Sequence, residues 1–124
     1  MEYIHFGKLV FERAKKHADR AILKFKEEVT GEWKTISWGE LAKQVRTIAK
    51  SLIELGVKEE DRVAIFSQNM AEIIAVDLAC QAVRATTVPM YATSSVSQID
   101  YIKKLTMFLC LYCFKHCKYC LKMI

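Results

Sequence analysis

The side chains with the clearest capacity for chemistry are four cysteines near the end of the printed sequence. They follow the pattern C-x2-C-x3-C-x2-C at Cys110, Cys113, Cys117 and Cys120, with His116 among them. Zinc binds four thiolates in a tetrahedron with Zn–S distances of about 2.3 Å, so these cysteines are a candidate zinc site. Two C-x-x-C pairs in zinc ribbons are usually separated by ~15–20 residues, whereas here the gap is much shorter.

If this segment is helical, its geometry also argues against one metal ion. Four cysteines with this spacing on a helix would form a stripe about 15 Å long, which is too extended for a single ion. The segment also has no glycine to form a metal-binding knuckle. We therefore keep zinc as an alternative and expect no metal ligand, catalytic residue or cofactor-binding residue in this chain.

The segment that carries these cysteines, residues 103–124, differs from the rest of the chain in charge. It contains five lysines and no acidic residue. Removing those five from the 19 basic residues leaves 14, which equal the 14 acidic residues of the chain. The excess positive charge therefore belongs to the tail. Residues 1–102 show no basic patch interleaved with aromatic residues, so we expect no nucleic-acid partner.

The composition of the tail suggests an origin. Its 22 residues use nine amino-acid types and include no Gly, Ala, Ser, Val, Asp or Glu. Most of these types can be encoded by AT-rich codons, as expected for AT-rich DNA that is read out of frame. We predict that the tail is a frameshift product unrelated to residues 1–102. The alternative is a basic, apolar segment that lies on a membrane surface, a peripheral contact.

Reactive side chains in the first 102 residues have simpler structural interpretations. Cys80 falls on the apolar face of a predicted helix and is expected to be a small core residue. Trp33 and Trp38 flank a strand-to-helix junction, which favours packing roles. Ser94 and Ser95 precede a predicted helix, where a hydroxyl is expected to cap the N-terminus rather than bind phosphate.

The first secondary-structure elements predicted along the chain are a helix and a β-hairpin. Phe6, Leu9 and Val10 indicate one apolar side of a helix over residues 6–17. Residues 21–26 and 33–36 read as strands that flank a polar turn containing glycine, so they predict a β-hairpin.

The following helix has a clear beginning and a clear end. Ser37 and Glu40 have the spacing of a capping box, in which each side chain accepts a hydrogen bond from the other residue's backbone N–H. An apolar stripe follows at steps of three and four, and Gly56 provides the left-handed residue that ends a helix.

A strand, helix and strand follow within residues 62–88 and predict one right-handed βαβ unit. Residues 62–66 are almost continuously apolar, as in a strand buried on both faces of a parallel sheet. Asn69 is the predicted N-cap of the helix. The second strand spans residues 86–88 and is predicted to end at Pro89. A further helix is expected from Ser95 through residue 102.

Several short segments together resemble a known family in order and spacing. They are TISWGEL at residues 35–41, IAKSLIELGV at 48–57, EDRVAI at 60–65, SQNMAE at 67–72 and VPMY at 88–91. This series is similar to that of the adenylate-forming enzymes, with YATSS at residues 91–95 most like the long-chain fatty-acyl–CoA synthetases. Two residues depart from the family pattern, because Glu60 stands where glycine is usual and Arg84 where a small residue is common.

The resemblance implies an α/β fold, the first part of the large domain of an adenylate-forming enzyme, with a βαβ unit, a β-hairpin and flanking helices. The intact ligase would use ATP, Mg²⁺ and CoA to convert a fatty acid into acyl-AMP and then into the acyl-CoA thioester. Its phosphate loop is rich in glycine, but the four glycines here are widely separated. We therefore expect a fragment that is inactive alone, and whether the chain is an enzyme stays open.

Two further expectations concern the surroundings of the chain. The start of the sequence has no signal-peptide pattern, and no stretch is apolar enough to span a membrane, so we expect a cytoplasmic location. Two alternatives to the ligase fragment remain. One is a stand-alone α/β binding module, and the other is a small protein with a zinc-binding tail.

Overall fold

The computed structural model describes residues 5–106 and 110–113, and within them helices and strands alternate as expected for an α/β fold. An antiparallel hairpin is followed by a parallel sheet with the strand order β4-β3-β5. In chain order the elements are α1 (Phe6–His17), β1 (Ala21–Lys26), β2 (Trp33–Ser37), α2 (Trp38–Glu54), β3 (Arg62–Ser67), α3 (Ala71–Ala82), β4 (Thr86–Tyr91), α4 (Val96–Thr106) and β5 (Cys110–Cys113).

The β-hairpin and the start of α2 form as predicted. Leu23 pairs with Ile36 across the hairpin, and Ile36 is buried in the main core. The Ser37 hydroxyl accepts a hydrogen bond from the Glu40 N–H (3.3 Å), and the Glu40 carboxylate accepts one from the Ser37 N–H (2.8 Å). Both bonds of the capping box are therefore present, and they fix where the strand ends and the helix begins.

The end of α2 also follows the prediction. Gly56 has a φ of +88°, in the left-handed region that favours glycine. The chain then turns back, and the Val57 N–H donates to the Leu52 carbonyl (3.0 Å). Because Leu41, Val45 and Leu52 are buried, the predicted apolar stripe of α2 faces the core.

The side of α1 that is buried in the structure differs from the apolar side predicted from the sequence. Gly7 and Val10 are the buried residues of this helix, whereas the Phe6 side chain is 68% exposed. A Cβ atom at Gly7 would lie 2.7 Å from the backbone of Ala82 in α3. Because α3 approaches this closely, the buried face of α1 must contain a glycine at the contact. The pattern of apolar residues in α1 did not indicate this face.

Two boundaries near the parallel sheet differ from the predictions. The N-cap residue of α3 is Met70 rather than Asn69, and it makes no side-chain capping hydrogen bond. Strand β4 continues through Pro89 to Tyr91 instead of ending at the proline. Proline is tolerated at the edge of a sheet when its nitrogen faces away from the neighbouring strand. In the described part of the sheet, β4 is such an edge strand.

The two residues that depart from the family pattern adopt left-handed backbone conformations. Glu60 has a φ of 68° and Arg84 a φ of 61°. The Glu60 N–H donates to the Arg84 carbonyl (2.9 Å), and the Arg84 guanidinium pairs with the Glu59 carboxylate (2.5 Å). These two turns precede β3 and β4. A left-handed backbone conformation favours glycine at both positions.

Candidate functional site

The chain adds its parallel strands first on one side of β3 and then on the other. Strand β4 lies on one side of β3 and β5 lies on the other, and both pairs are parallel. Two right-handed crossovers in opposite directions put their helices, α3 and α4, on opposite faces of the sheet. In open α/β sheets, ligands bind beyond the carboxyl ends of the strands at such a switch point. The candidate functional region is therefore this end of the sheet.

The two faces of β3 show how the helices are arranged. Val63 and Ile65 belong to the main core, which α2 and α3 cover. Ala64 and Phe66 alternate with them and point to the other face, where they meet Met90 and residues of α4. The near-continuous apolar pattern of β3 is thus explained, because the strand is buried on both faces as predicted.

The chain at the carboxyl end of β3 begins with Ser67, the last residue of the strand. The Ser67 hydroxyl donates to the Gln68 carbonyl (3.0 Å) and lies 3.3 Å from the Met70 sulfur. Asn69, the predicted cap of α3, is exposed. This segment offers hydroxyl and amide groups for hydrogen bonding, and its own Ser67 hydroxyl is already engaged locally.

An open cleft lies beside the carboxyl end of β4. It has a volume of about 330 Å³. The Tyr91 and Tyr101 side chains at its sides are 83% and 67% exposed. Its lining mixes aromatic and hydroxyl groups: Tyr91, Ser94, Ser97, Gln98, Tyr101 and Ile102. Such a surface suits an apolar or aromatic contact edged by hydrogen bonds.

Ser95 has the capping role predicted from the sequence. Its hydroxyl accepts from the Gln98 N–H (3.4 Å), and the Gln98 side-chain oxygen accepts from the Ser95 N–H (2.8 Å). This reciprocal pair is the geometry of a capping box at the start of α4. The pair orders the wall of the cleft.

The hydrogen bonds of Asp77 link α3 to β4 behind the candidate region. The Thr87 hydroxyl donates to one carboxylate oxygen (2.7 Å), and the Gln81 amide donates to the other (2.8 Å). Both oxygens of Asp77 are thus engaged within the protein. The arrangement fixes the helix against the strand.

The charged groups elsewhere also have structural roles. The hydrogen bond from the Ser37 backbone N–H, and then the one with its side chain, lower the pKa of Glu40 below its ordinary value. Glu40 belongs to the cap of α2, away from the candidate region. Within the described residues, the buried core contains no polar or charged residue.

The four cysteines of the alternative zinc site are only partly within the described chain. Cys110 and Cys113 bound strand β5, which pairs with β3, so this segment has strand and not helical backbone. Cys117, Cys120 and His116 lie outside the described residues. Over residues 5–106 and 110–113, no group of three or more His, Cys, Asp or Glu side chains is placed to hold a metal ion. The zinc site stays an untested alternative to the expectation that this chain has no metal ligand.

Three other residues singled out in the sequence are found in different environments. Cys80 is fully buried in the main core, as predicted. Trp38 packs against the same core, also as predicted. Trp33 does not, because it is 64% exposed and the Lys24 ammonium lies 5.2 Å from its ring centre. That distance allows a cation–π contact on the outer face of the hairpin.

Comparison with known proteins identifies this arrangement. The sequence profile of the AMP-binding enzyme family matches residues 10–114. The chain belongs to the AMP-binding enzyme family. The fold class predicted from the sequence is confirmed, as is the resemblance to the acyl-CoA synthetases of this family.

One similar relative is the long-chain-fatty-acid–CoA ligase FadD15 of Mycobacterium bovis. It is 38% identical over 101 residues, which cover 82% of this chain and 16% of the ligase. The family member described here therefore spans only a small part of that relative's length.

Solved structures of the family share the fold. The fatty acyl-adenylate ligase of L. pneumophila, solved with acyl adenylate and pyrophosphate, superposes with a TM-score of 0.81 at 19% identity. The superposition covers 90% of this chain and 20% of the L. pneumophila chain. The fatty acyl CoA synthetase of Mycobacterium tuberculosis gives a TM-score of 0.76 at 18% identity, over 88% and 21% of the two chains.

The switch point itself was missed at the sequence level. The βαβ unit of β3, α3 and β4 was predicted, but the third parallel strand was not, so the strand order could not be inferred. Both β5 and the family match extend beyond residue 102. The division into residues 1–102 and an unrelated tail 103–124 stays a prediction.

Proposed function

We propose that this chain provides the first α/β layer of a long-chain fatty-acyl–CoA ligase. The intact ligase would join a fatty acid to ATP, forming acyl-AMP and pyrophosphate, and CoA would then displace AMP to give the thioester. The observation that carries the proposal is the 38% identity to a long-chain-fatty-acid–CoA ligase over 82% of the chain. The family match over residues 10–114 includes the β3-α3-β4-α4-β5 unit.

The proposed role of the chain within the ligase is structural. Its core is apolar, both faces of β3 are covered, and Asp77 is engaged by Thr87 and Gln81. The carboxyl end of the parallel sheet would face the rest of the enzyme, where the substrates bind. The chain would thus hold the neighbouring parts of the acyl-adenylate site in place rather than supply its reactive groups.

The Mg²⁺ ion that the family implies has no fitting site among the described residues. No three metal-binding side chains there come together, and the Asp77 carboxylate, which bonds to Thr87 of β4, already accepts two hydrogen bonds from the protein. ATP and CoA would likewise be held by parts of the ligase outside this chain. We therefore derive no metal-assisted step from these residues.

The location and membrane contacts of the ligase are further parts of the proposal. The cytoplasm holds the ATP and CoA that the reaction consumes, and we propose that the ligase acts there. A fatty acid partitions into membranes, so a peripheral membrane contact would bring the ligase to its substrate. In the described part of the chain, none of the helices has the length and apolar character needed to cross a membrane.

The catalytic part of the proposal can be tested with the 124-residue chain alone. We expect no palmitate-dependent release of AMP from ATP in the presence of CoA and Mg²⁺, because the sequence has no glycine-rich phosphate loop. A full-length long-chain ligase serves as the positive control in the same assay. Fatty-acid-dependent AMP release by the isolated chain, retained after repurification, would contradict the proposed structural role.

A further inference from the structure

The charges of residues 1–102 are unevenly distributed over the fold, although their sum is zero. Of the 14 basic and 14 acidic residues, helices α1 and α2 together hold 7 basic and 3 acidic ones. The other parts of residues 1–102 therefore hold 7 basic and 11 acidic residues. Two of the three acids of these helices, Glu40 and Glu54, lie at the two ends of α2. The length between these ends is basic.

Two contacts show that α1 and α2 lie side by side in opposite directions. The Gly39 N–H donates to the Ala18 carbonyl (2.9 Å), which joins the end of α1 to the start of α2. On each helix, the next contact lies seven residues from this junction, where the Arg46 guanidinium is 5.4 Å from the Phe11 ring centre. Because an α-helix rises by about 1.5 Å per residue, the contact is equally far along both helices.

The basic side chains of α2 lie on the side of this helix that contacts Phe11. Lys43 is three residues before Arg46 and Lys50 is four residues after it, so the three side chains form one stripe. All three residues are exposed. No acidic residue interrupts the stripe, because residues 41–53 contain none.

The adjoining side of α1 is also basic. Lys8 is three residues before Phe11 and Lys15 is four residues after it, so both share the side of α1 that faces Arg46. One carboxylate is present there, since that of Glu12 lies 3.4 Å from the Lys8 ammonium. The two sides together form one surface, termed the basic strip below: Lys8, Phe11, Lys15, Lys43, Arg46 and Lys50. The strip exists only when the helices pack, so the sequence of either helix alone does not show it.

We propose that the basic strip is a docking surface for an anionic phospholipid bilayer. Lysine and arginine side chains are attracted to the negative surface of such a membrane, and each cation near the surface adds to the attraction. The strip has five cations and one carboxylate, so its charge complements that surface. The choice of a membrane rests on the proposed function, because the long-chain fatty acid that the ligase would use partitions into bilayers.

A nucleic acid is a poorer partner for the same strip. Proteins that bind single strands combine a basic groove with aromatic side chains on which the bases stack. The Phe11 ring packs half-buried against the main core and already contacts the Arg46 guanidinium. The strip thus offers positive charge without an open aromatic face, which suits lipid headgroups better than bases.

The test measures sedimentation of the 124-residue chain with lipid vesicles. The strip variant replaces the three cations of α2 by glutamine. The control variant removes the same charge from exposed lysines outside the strip, including one that contacts an aromatic ring as Arg46 does: Lys24→Gln, Lys26→Gln and Lys58→Gln. Residues 103–124 are unchanged in both variants, so their five lysines contribute equally.

The expected difference appears with vesicles that contain phosphatidylcholine and phosphatidylglycerol in equal amounts. The unmodified chain and the control variant should bind them alike, and the strip variant should bind at least about tenfold more weakly. Added salt should weaken the binding of the unmodified chain, because it screens exposed charges. With vesicles of phosphatidylcholine alone, the three proteins should bind equally weakly.

A second variant keeps the test decisive if circular dichroism shows that the strip variant does not fold. Lys15→Gln combined with Lys43→Gln and Lys50→Gln leaves the Arg46 contact with Phe11 in place, and the same loss of binding is expected. Equal binding by a folded strip variant and the control variant would overturn the inference. So would an absence of binding to the anionic vesicles, or tighter binding of the unmodified chain to a DNA oligonucleotide than to these vesicles.

Failure of the strip and failure of the proposed function give different results. The Mycobacterium bovis ligase is prepared with its 101 matched residues replaced by those of this chain. If this chimera binds anionic vesicles through the strip but releases no AMP with palmitate, the docking surface is correct and the proposed function fails. If the chimera releases AMP and the strip substitutions do not change its vesicle binding, the proposed function holds and the docking surface is wrong.

Discussion

The two faces of the parallel sheet are covered to very different extents. On one face, Val63 and Ile65 join a core built from α1, α2, α3 and the hairpin. On the other, among the residues whose side chains the structure describes, Ala64 and Phe66 meet Met90 and two half-buried residues of α4, Ile99 and Ile102. Exposed aromatic side chains, Tyr91 and Tyr101, border this second face. Among the described residues, the first face thus forms the larger core, termed the finished core below, and the second face forms a smaller one.

The largest effect is expected where the finished core loses volume. Leu52 is 1% exposed in α2, and Leu52→Ala should lower the free energy of unfolding by about 2–5 kcal/mol, since it removes buried methyl groups and leaves a cavity. Urea titration followed by circular dichroism measures the change. Leu55→Ala, just after the same helix and 52% exposed, is the control and should cost far less. Equal costs would show that the first face is not a packed core.

The corresponding truncation on the second face should cost less. Ile99 is half-buried against a cluster with few members, so Ile99→Ala should lower the free energy of unfolding by about 1 kcal/mol. The same urea titration compares it directly with Leu52→Ala. A loss as large as that of Leu52→Ala would break the distinction between the faces.

Removing the N-terminal cap of α2 should lower the free energy of unfolding by an amount similar to that of Ile99→Ala. Ser37→Ala removes the hydroxyl that accepts from the Glu40 N–H, and should cost about 1 kcal/mol. Ser51→Ala is the control, because its hydroxyl bonds within the helix at an exposed position. If both variants unfold at the same urea concentration, the capping box does not contribute to stability.

The same cap predicts a dependence of stability on pH. The pKa of Glu40 is lower in the folded state than its ordinary value of 4.5, first because its carboxylate accepts from the Ser37 backbone N–H. The ionised form therefore stabilises the fold above pH 4.5, and this contribution is lost as the pH falls through the folded-state pKa. Glu40→Gln should lose less stability than the unmodified chain over that acidic range. Parallel pH curves for the two proteins would contradict the assignment.

The smallest expected effect concerns the turn that joins α3 to β4. Arg84 adopts a left-handed backbone conformation at a cost of ~1–2 kcal/mol for an L-residue, while glycine costs ~0.5–1 kcal/mol in lost chain entropy. Arg84→Gly should therefore raise the free energy of unfolding by about 0.5–1 kcal/mol. Arg84→Ala, which keeps the strain and removes the pair with Glu59, should give no gain. A stabilising Arg84→Ala would mean that the guanidinium, and not the backbone, is the unfavourable group.

Local signals in the sequence predicted the parts of the fold that local interactions determine. Ser37 with Glu40, Ser95 with Gln98, and Gly56 each act within three or four residues, so their patterns were sufficient. The continuous apolar run of β3 likewise indicated a strand buried on both faces. The resemblance to the acyl-CoA synthetases rested on the same region, and the family match confirms it.

The errors arose where distant parts of the chain decide the structure. The orientation of α1 depends on the approach of Ala82 to Gly7, and no property of α1 alone indicates it. The continuation of β4 through Pro89 depends on which of its edges faces β3. The candidate region depends on the pairing of β5 with β3, and the unusual composition of that segment favoured a cysteine tail over a strand.

The central claim, that this chain forms the first layer of a long-chain fatty-acyl–CoA ligase, is tested most directly by a chimera. The 101 matched residues of the Mycobacterium bovis ligase are replaced by those of this chain, and palmitate-dependent AMP release is measured beside the deletion of the same residues. We predict an active chimera and an inactive deletion. A soluble, folded chimera without palmitate-dependent AMP release would contradict the account.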